Sequence, residues 1–116
     1  MKRWGTLLLG AVLLTGCADR KQKILGAAFE GTTIPVSMAQ NASVDAPVVL
    51  RGTMTEKCPI AGCWFVLRDE TGTIKVDTKN AGFVVVDVPL KTSLVVGGRV
   101  MTNGTQRLIE ASGVRY

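Results

Sequence analysis

The 116-residue sequence predicts an all-β fold: a small five-stranded OB-like barrel whose helix between strands three and four is reduced or absent. Three observations predict it. Short runs of β-branched, aromatic and aliphatic residues follow one another from residue 48 onward. Turn formers separate them closely, at Asp69-Glu70-Thr71-Gly72, Gly97-Gly98 and Asn103-Gly104. No stretch of about twelve residues carries a convincing helical period. The order is two long hairpin-linked strands, a third, an irregular connection and a final hairpin. Closing such a sheet into a barrel removes the open edges that a small β domain otherwise exposes.

The chain begins with Lys2-Arg3, an apolar stretch over residues 4–14, and then Leu14-Thr15-Gly16-Cys17. A basic start, a short apolar core and small residues before a cut make residues 1–16 a secretory signal peptide. The apolar core is about ten residues, too short for a bilayer span of ~20. The ending Leu-Thr-Gly-Cys resembles the lipobox of bacterial lipoproteins. That resemblance implies that Cys17 becomes the first mature residue and carries a lipid. Ala18 stands where an Asp would retain a Gram-negative lipoprotein at the inner membrane, so the resemblance favours the outer membrane, facing the periplasm. Several acyl chains on one cysteine suffice to anchor, at ~0.8 kcal/mol per buried methylene.

Residues 17–32 are polar and small, and read as a tether with Gly26 and Gly31. Its Arg20, Lys21 and Lys23 suit either a solubilising spacer or contact with anionic headgroups. Cleavage removes Lys2 and Arg3 from a chain of net charge +5 and keeps all nine acidic residues, leaving a weakly basic remainder. The domain is assigned to residues 33–116, with its compact core over 48–116. A core of that size is marginal and often needs a staple.

Within the domain, Ile34-Pro35-Val36 suits a short edge strand, because Pro is tolerated at edges. Residues 38–44 suit one helical turn or a loop. Residues 48–55 open with apolar β-formers, and 64–67 is apolar throughout, as a strand buried on both sides would be. Ile74 and Val76 alternate with Lys75 and Asp77, the pattern of a half-buried strand. Residues 83–88 form another apolar run, closed by Pro89. Residues 90–96 are the best candidate for a short helix, weakened by β-branched residues and Gly97. Residues 99–102, then Leu108-Ile109 and Val114, supply the final hairpin around Asn103-Gly104.

The second signal is Cys58-Pro59-Ile60-Ala61-Gly62-Cys63-Trp64, at the turn between the first two long strands. With Cys17 committed to lipid, Cys58 and Cys63 remain as a pair in an oxidising space, where a disulfide is expected. Closing so short a loop contributes roughly 2 kcal/mol in the chain-entropy model. Two other readings stay open. One is thiol–disulfide exchange, although the spacing is not C-x-x-C. The other is a soft metal, Cu(I), held by Cys58 and Cys63 with the Met54 thioether or, more remotely, Met101. Both methionines also suit the core. The chain has no histidine, which excludes His-based zinc and copper sites.

At this block the chain resembles a family of small bacterial secreted or lipid-anchored OB-fold-like proteins of uncharacterised function. The matching residues are Gly26-Ala27, Gly52, Cys58, Gly62-Cys63-Trp64, residues 73–77, Gly82-Phe83-Val84-Val85 and Gly97-Gly98. The chain departs from the pattern where Ala81 and Val86 replace an expected aromatic and Pro. The resemblance implies fold and compartment and supplies no activity.

No catalytic residue and no cofactor is assigned. There is no His to act as a base, the serines lack a motif, and Asp69-Glu70 lies at a turn. OB barrels often bind single-stranded nucleic acid on basic, aromatic faces. Here the mature aromatics are few and a periplasmic anchor removes that ligand, so nucleic acid is not expected. The expected role is a non-enzymatic, lipid-anchored envelope module. It would bind a periplasmic protein, polymer or small ligand on the face of the first three strands, through Arg51, Trp64, Arg68 and Lys75. The alternative is a Cu(I) or thiol-redox protein built on Cys58 and Cys63.

Overall fold

The computed structural model describes residues 22–116. The predicted signal peptide, Cys17 and the first residues of the predicted tether lie outside that range. The elements run β1 (Ile24–Gly26), α1 (Val36–Ala39), β2 (Pro47–Lys57), β3 (Trp64–Asp69) and β4 (Gly72–Asp77). A 3-10 turn (Lys79–Ala81), β5 (Ser93–Asn103) and β6 (Gln106–Arg115) follow.

Five strands close the barrel. β2 pairs antiparallel with β3 and β5, β3 with β4, and β5 with β6. The ring closes where β4 runs parallel to β6, with Val76 opposite Ile109. The connection from β4 to β5 holds only the 3-10 turn, so the OB helix is reduced as the sequence predicts. Two bulges bend the long strands, at Met54/Glu56 in β2 and at Ser112 in β6, opposite Gly97-Gly98.

The core follows the two-residue period of the strands. Leu50 and Met54 from β2, Phe65 and Leu67 from β3, and Val76 from β4 are wholly buried. Val96, Val100, Ile109 and Val114 join them from β5 and β6. At one end of the barrel α1 seals the core with Val36 and Ala39. There the Val36 N–H donates to the Asp69 carboxylate at 2.9 Å, tying α1 to the β3–β4 turn. At the other end Val85 and Val88 close the barrel beside the β2–β3 turn, where the Val85 N–H donates to the Gly62 carbonyl at 2.8 Å.

Four local expectations are corrected. Residues 83–88 are not a strand: Val85 and Val88 turn inward while Val84 and Val86 face solvent, a spacing of three that suits a plug rather than a pleat. Residues 90–96 hold no helix, because β5 starts at Ser93 and Val96 pairs with Leu50. β3 is not buried on both sides, since Trp64 and Val66 are half-exposed on the outer face. Ile34 makes a single parallel bridge to Leu50 instead of an edge strand, and α1 begins two residues later.

Part of the predicted tether lies on the barrel. β1 pairs antiparallel with the end of β6, Leu25 opposite Val114. The Lys23 and Tyr116 backbones exchange hydrogen bonds of 2.7 and 2.9 Å. Further on, the Arg115 guanidinium lies 4.3 Å from the Phe29 ring centroid and donates to the Phe29 carbonyl at 2.9 Å.

Candidate binding face and cysteine turn

The outer faces of β2, β3 and β4 carry the predicted binding residues, and strand register decides which of them meet. Thr53 stands opposite Arg68, and Arg68 opposite Thr73. Arg51 lies two residues before Thr53, so it shares this face. Arg51 and Arg68 therefore line one groove of about 690 Å³ with Thr53, Thr55, Lys91 and Ser93. Asp69 and Glu70 stand at its rim. Burial alone would raise the Asp69 carboxyl. Hydrogen bonds from the Thr71 hydroxyl and from the Val36, Thr71 and Gly72 N–H groups outweigh it and hold its pKa below the usual value. The charge of Asp69 is thus engaged by its own turn, while three cations front the groove.

Lys75 and Trp64 lie further along the sheet and form a separate unit. The Lys75 ammonium is 4.9 Å from the Trp64 ring centroid, within cation–π range. Lys75 also lines a smaller groove, about 440 Å³, with Gln40, Thr73 and Arg107. Sequence reasoning missed Lys91. It has a left-handed backbone, φ 72°, and its N–H donates to the Met54 carbonyl at 2.7 Å. The position of Lys91 depends on that non-local bond, and no local pattern announces it.

A second cavity, about 710 Å³, is a different kind of place. Arg99 reaches Glu110 at 2.9 Å and Asp45 at 3.7 Å, and Asn80 also donates to Glu110. The hydrogen bonds from Asn80 and Arg99 lower the Glu110 pKa, and the bond to Glu110 raises that of Arg99. These charges satisfy one another and brace β5 on β6.

Cys58 and Cys63 are free, half-exposed thiols, so the expected disulfide between them is not formed in this structure. Backbone hydrogen bonds within the turn, those of Ala61 and Ile60 above all, favour the Cys58 thiolate. They lower the Cys58 pKa to about 7, against a smaller opposing effect of burial. Met54 is wholly buried in the barrel core opposite Leu67, which gives its thioether a packing role away from the exposed turn. Among the described residues no group of three or more His, Cys, Asp or Glu side chains is placed to hold a metal ion.

A family model described as bacterial OB fold (BOF) protein matches residues 17–115. The chain is 31% identical over 93 residues to the calcium-regulated OB-fold protein CarO of Pseudomonas aeruginosa, covering 80% of this chain and 78% of that protein. Among solved structures it is similar to the hypothetical protein YgiW of E. coli, with a TM-score of 0.56 and 25% identity. That likeness covers 76% of this chain and 96% of YgiW.

Proposed function

Because the chain belongs to the bacterial OB fold (BOF) protein family, we propose that it is a non-enzymatic, lipid-anchored module of the cell envelope that binds an anionic partner on its β2–β3 face. The observation that carries this reading is the groove in which Arg51, Arg68 and Lys91 stand among the hydroxyls of Thr53, Thr55 and Ser93. Guanidinium groups suit carboxylate and phosphate oxygens, because their planar donors bond two oxygens at once. Hydroxyls beside them suit the polar atoms of a sugar backbone. An anionic envelope polymer offers both. The Lys75–Trp64 pair extends the face and adds an apolar ring for stacking.

Anchoring through Cys17 places this face near the membrane and on the periplasmic side of the outer membrane. In support, the lipobox-like ending precedes the folded chain by only a few residues: Cys17 is followed at Ile24 by β1. The barrel then sits close to its anchor.

The test is binding of the full chain to carboxylated and to phosphorylated oligosaccharides, compared with the double variant Arg51→Glu, Arg68→Glu. Hydrogen bonds to charged groups contribute about 1.5–3 kcal/mol each, so reversal should weaken binding at least about ten-fold. Binding should also weaken as salt rises, since both side chains are exposed. Equal affinity in the two proteins, or binding indifferent to salt, contradicts the reading. The two oligosaccharide classes separate a carboxylate source from a phosphate source.

A further inference from the structure

Among the described residues, five of the seven large exposed apolar side chains lie at one end of the barrel, the end closed by the plug. Ile60, at the tip of the β2–β3 turn, is 89% exposed, and Val84 and Val86 stand exposed on the plug beside it. The bond from the Val85 N–H to the Gly62 carbonyl holds plug and turn together. Gly62 has a left-handed backbone, φ 64°, and a Cβ there would lie 2.6 Å from the Val86 nitrogen, so nothing larger fits this seam. Ile24 and Leu90 are exposed at the same end. Single exposed apolar residues are ordinary, but a cluster of them with a polar rim marks a contact surface.

The chain enters the barrel at this same end. β1 runs antiparallel to β6, with Ile24 opposite Arg115 where β6 finishes. The Lys23 and Tyr116 backbones exchange hydrogen bonds, which fixes the point from which the preceding residues leave. A Cβ on Gly26 would lie 3.1 Å from the Phe83 ring, so β1 stands against the start of the plug. Cys17 is six residues before Lys23 in the sequence. That length of chain reaches at most about 20 Å. β6 has ten residues, so a barrel standing on its other end would hold Lys23 on the order of 25 Å from a bilayer, beyond that reach.

We propose that the plug end of the barrel docks on the bilayer surface, with Ile60, Val84 and Val86 entering the boundary between headgroups and acyl chains. The inference rests on the lipid proposed at Cys17, which makes docking an intramolecular step. A short tether supplies a high effective concentration, so a small apolar patch suffices where it would not hold a free protein. Charge agrees in sign. Lys23, Lys57, Lys91 and Arg115 outnumber Glu56 and Asp87 at this end, and Lys79 and Asp77 pair with each other. A small positive excess suits anionic headgroups. The groove with Arg51 and Arg68 lies on the barrel wall, so docking leaves it open.

The test attaches the chain from Cys17 onward, which includes every described residue, to vesicles through Cys17 itself. Cys58→Ser and Cys63→Ser leave Cys17 as its only thiol. That thiol is coupled to a maleimide-bearing lipid in vesicles of phosphatidylethanolamine and phosphatidylglycerol. Amide exchange is compared with the same chain uncoupled in solution, and unchanged exchange in β3 and β4 checks the fold. Burial of the Ile60 side chain favours the docked state by about ten-fold, so exchange at Ile60, Ala61, Val84 and Val86 should slow by about that factor. The Asn103-Gly104 turn, at the far end, should be unchanged. Adding Ile60→Asp and Val84→Asp should abolish the slowing while the protein stays coupled. No slowing at the plug end, equal slowing at both ends, or slowing that survives the two aspartates overturns the proposal. Slowing without vesicles as protein concentration rises would assign this end to a second copy, and overturns it as well. Because the coupling is chemical, the result does not depend on lipidation in the cell. The intact mass of protein extracted from membranes tests that separately, through the acyl mass on Cys17.

Discussion

Thr78 is fully buried, yet its hydroxyl has no hydrogen-bond partner. Its backbone is well used, since the Thr78 N–H donates to the Cys63 carbonyl at 2.9 Å. An unpaired buried hydroxyl costs about 1–3 kcal/mol, while an apolar group of the same shape costs nothing of the kind. Thr78→Val should therefore raise stability by about 1 kcal/mol, read as a higher midpoint in denaturant unfolding, with the cysteine turn unchanged. A loss of stability would mean that the hydroxyl has a partner in solution. Cys58 is half-exposed, and backbone hydrogen bonds within its turn favour the thiolate. Its depressed pKa means that the thiolate's contribution is complete above the unfolded value near 8.5 and fades as pH falls through about 7. This side chain was legible in the sequence as half of a pair. Its lowered pKa was not, because the groups that cause it belong to the backbone.

Elements with local signals were legible and elements made by distant partners were not. Asn103-Gly104 announced the β5–β6 hairpin, where Asn103 pairs with Gln106. The alternation of Ile74 and Val76 with Lys75 and Asp77 announced β4. By contrast, the valines of 83–88 fit a strand equally well by type, and only their packing under the barrel makes them a plug. β1 is the clearest case. It has three residues and one inward side chain, Leu25, and its partner strand lies at the far end of the chain. What admits it is Gly113 on β6, where a Cβ would lie only 1.9 Å from the Ala27 carbonyl oxygen. Gly113→Ala should expel β1 and the segment after it, destabilising the protein by about 1–3 kcal/mol as overpacking does. Amide exchange at Leu25 and Ala27 should accelerate while β3 and β4 keep their protection. Unchanged exchange at Ala27 would show that the segment gains little from its contact with Gly113. In the candidate groove, Arg51 and Arg68 were legible because strand register joins them, and Lys91 was not because its place depends on a bond to Met54.

At the scale of the whole molecule, a closed barrel with plugs at both ends carries one open cationic face and one open cysteine turn. The fold settles neither ligand nor reaction, since OB barrels serve many functions. The arrangement of charges discriminates further: Arg99, Glu110 and Asp45 neutralise one another in their cavity, whereas Arg51, Arg68 and Lys91 line a groove with two carboxylates, Glu70 and Asp69, of which Asp69 is engaged by its own turn. Anchoring has its own prediction. Cys17→Ser should move the protein out of the membrane fraction or leave it uncleaved, and unchanged fractionation would remove the lipid from the account. The central claim is that the β2–β3 face binds an anionic envelope polymer. Its most direct test is amide chemical-shift mapping of the full chain titrated with carboxylated and phosphorylated oligosaccharides. The account predicts saturable shifts centred on Arg51, Thr53, Arg68 and Lys91, abolished by Arg51→Glu with Arg68→Glu. Shifts centred on Arg99 and Glu110, or none at any residue, would contradict it.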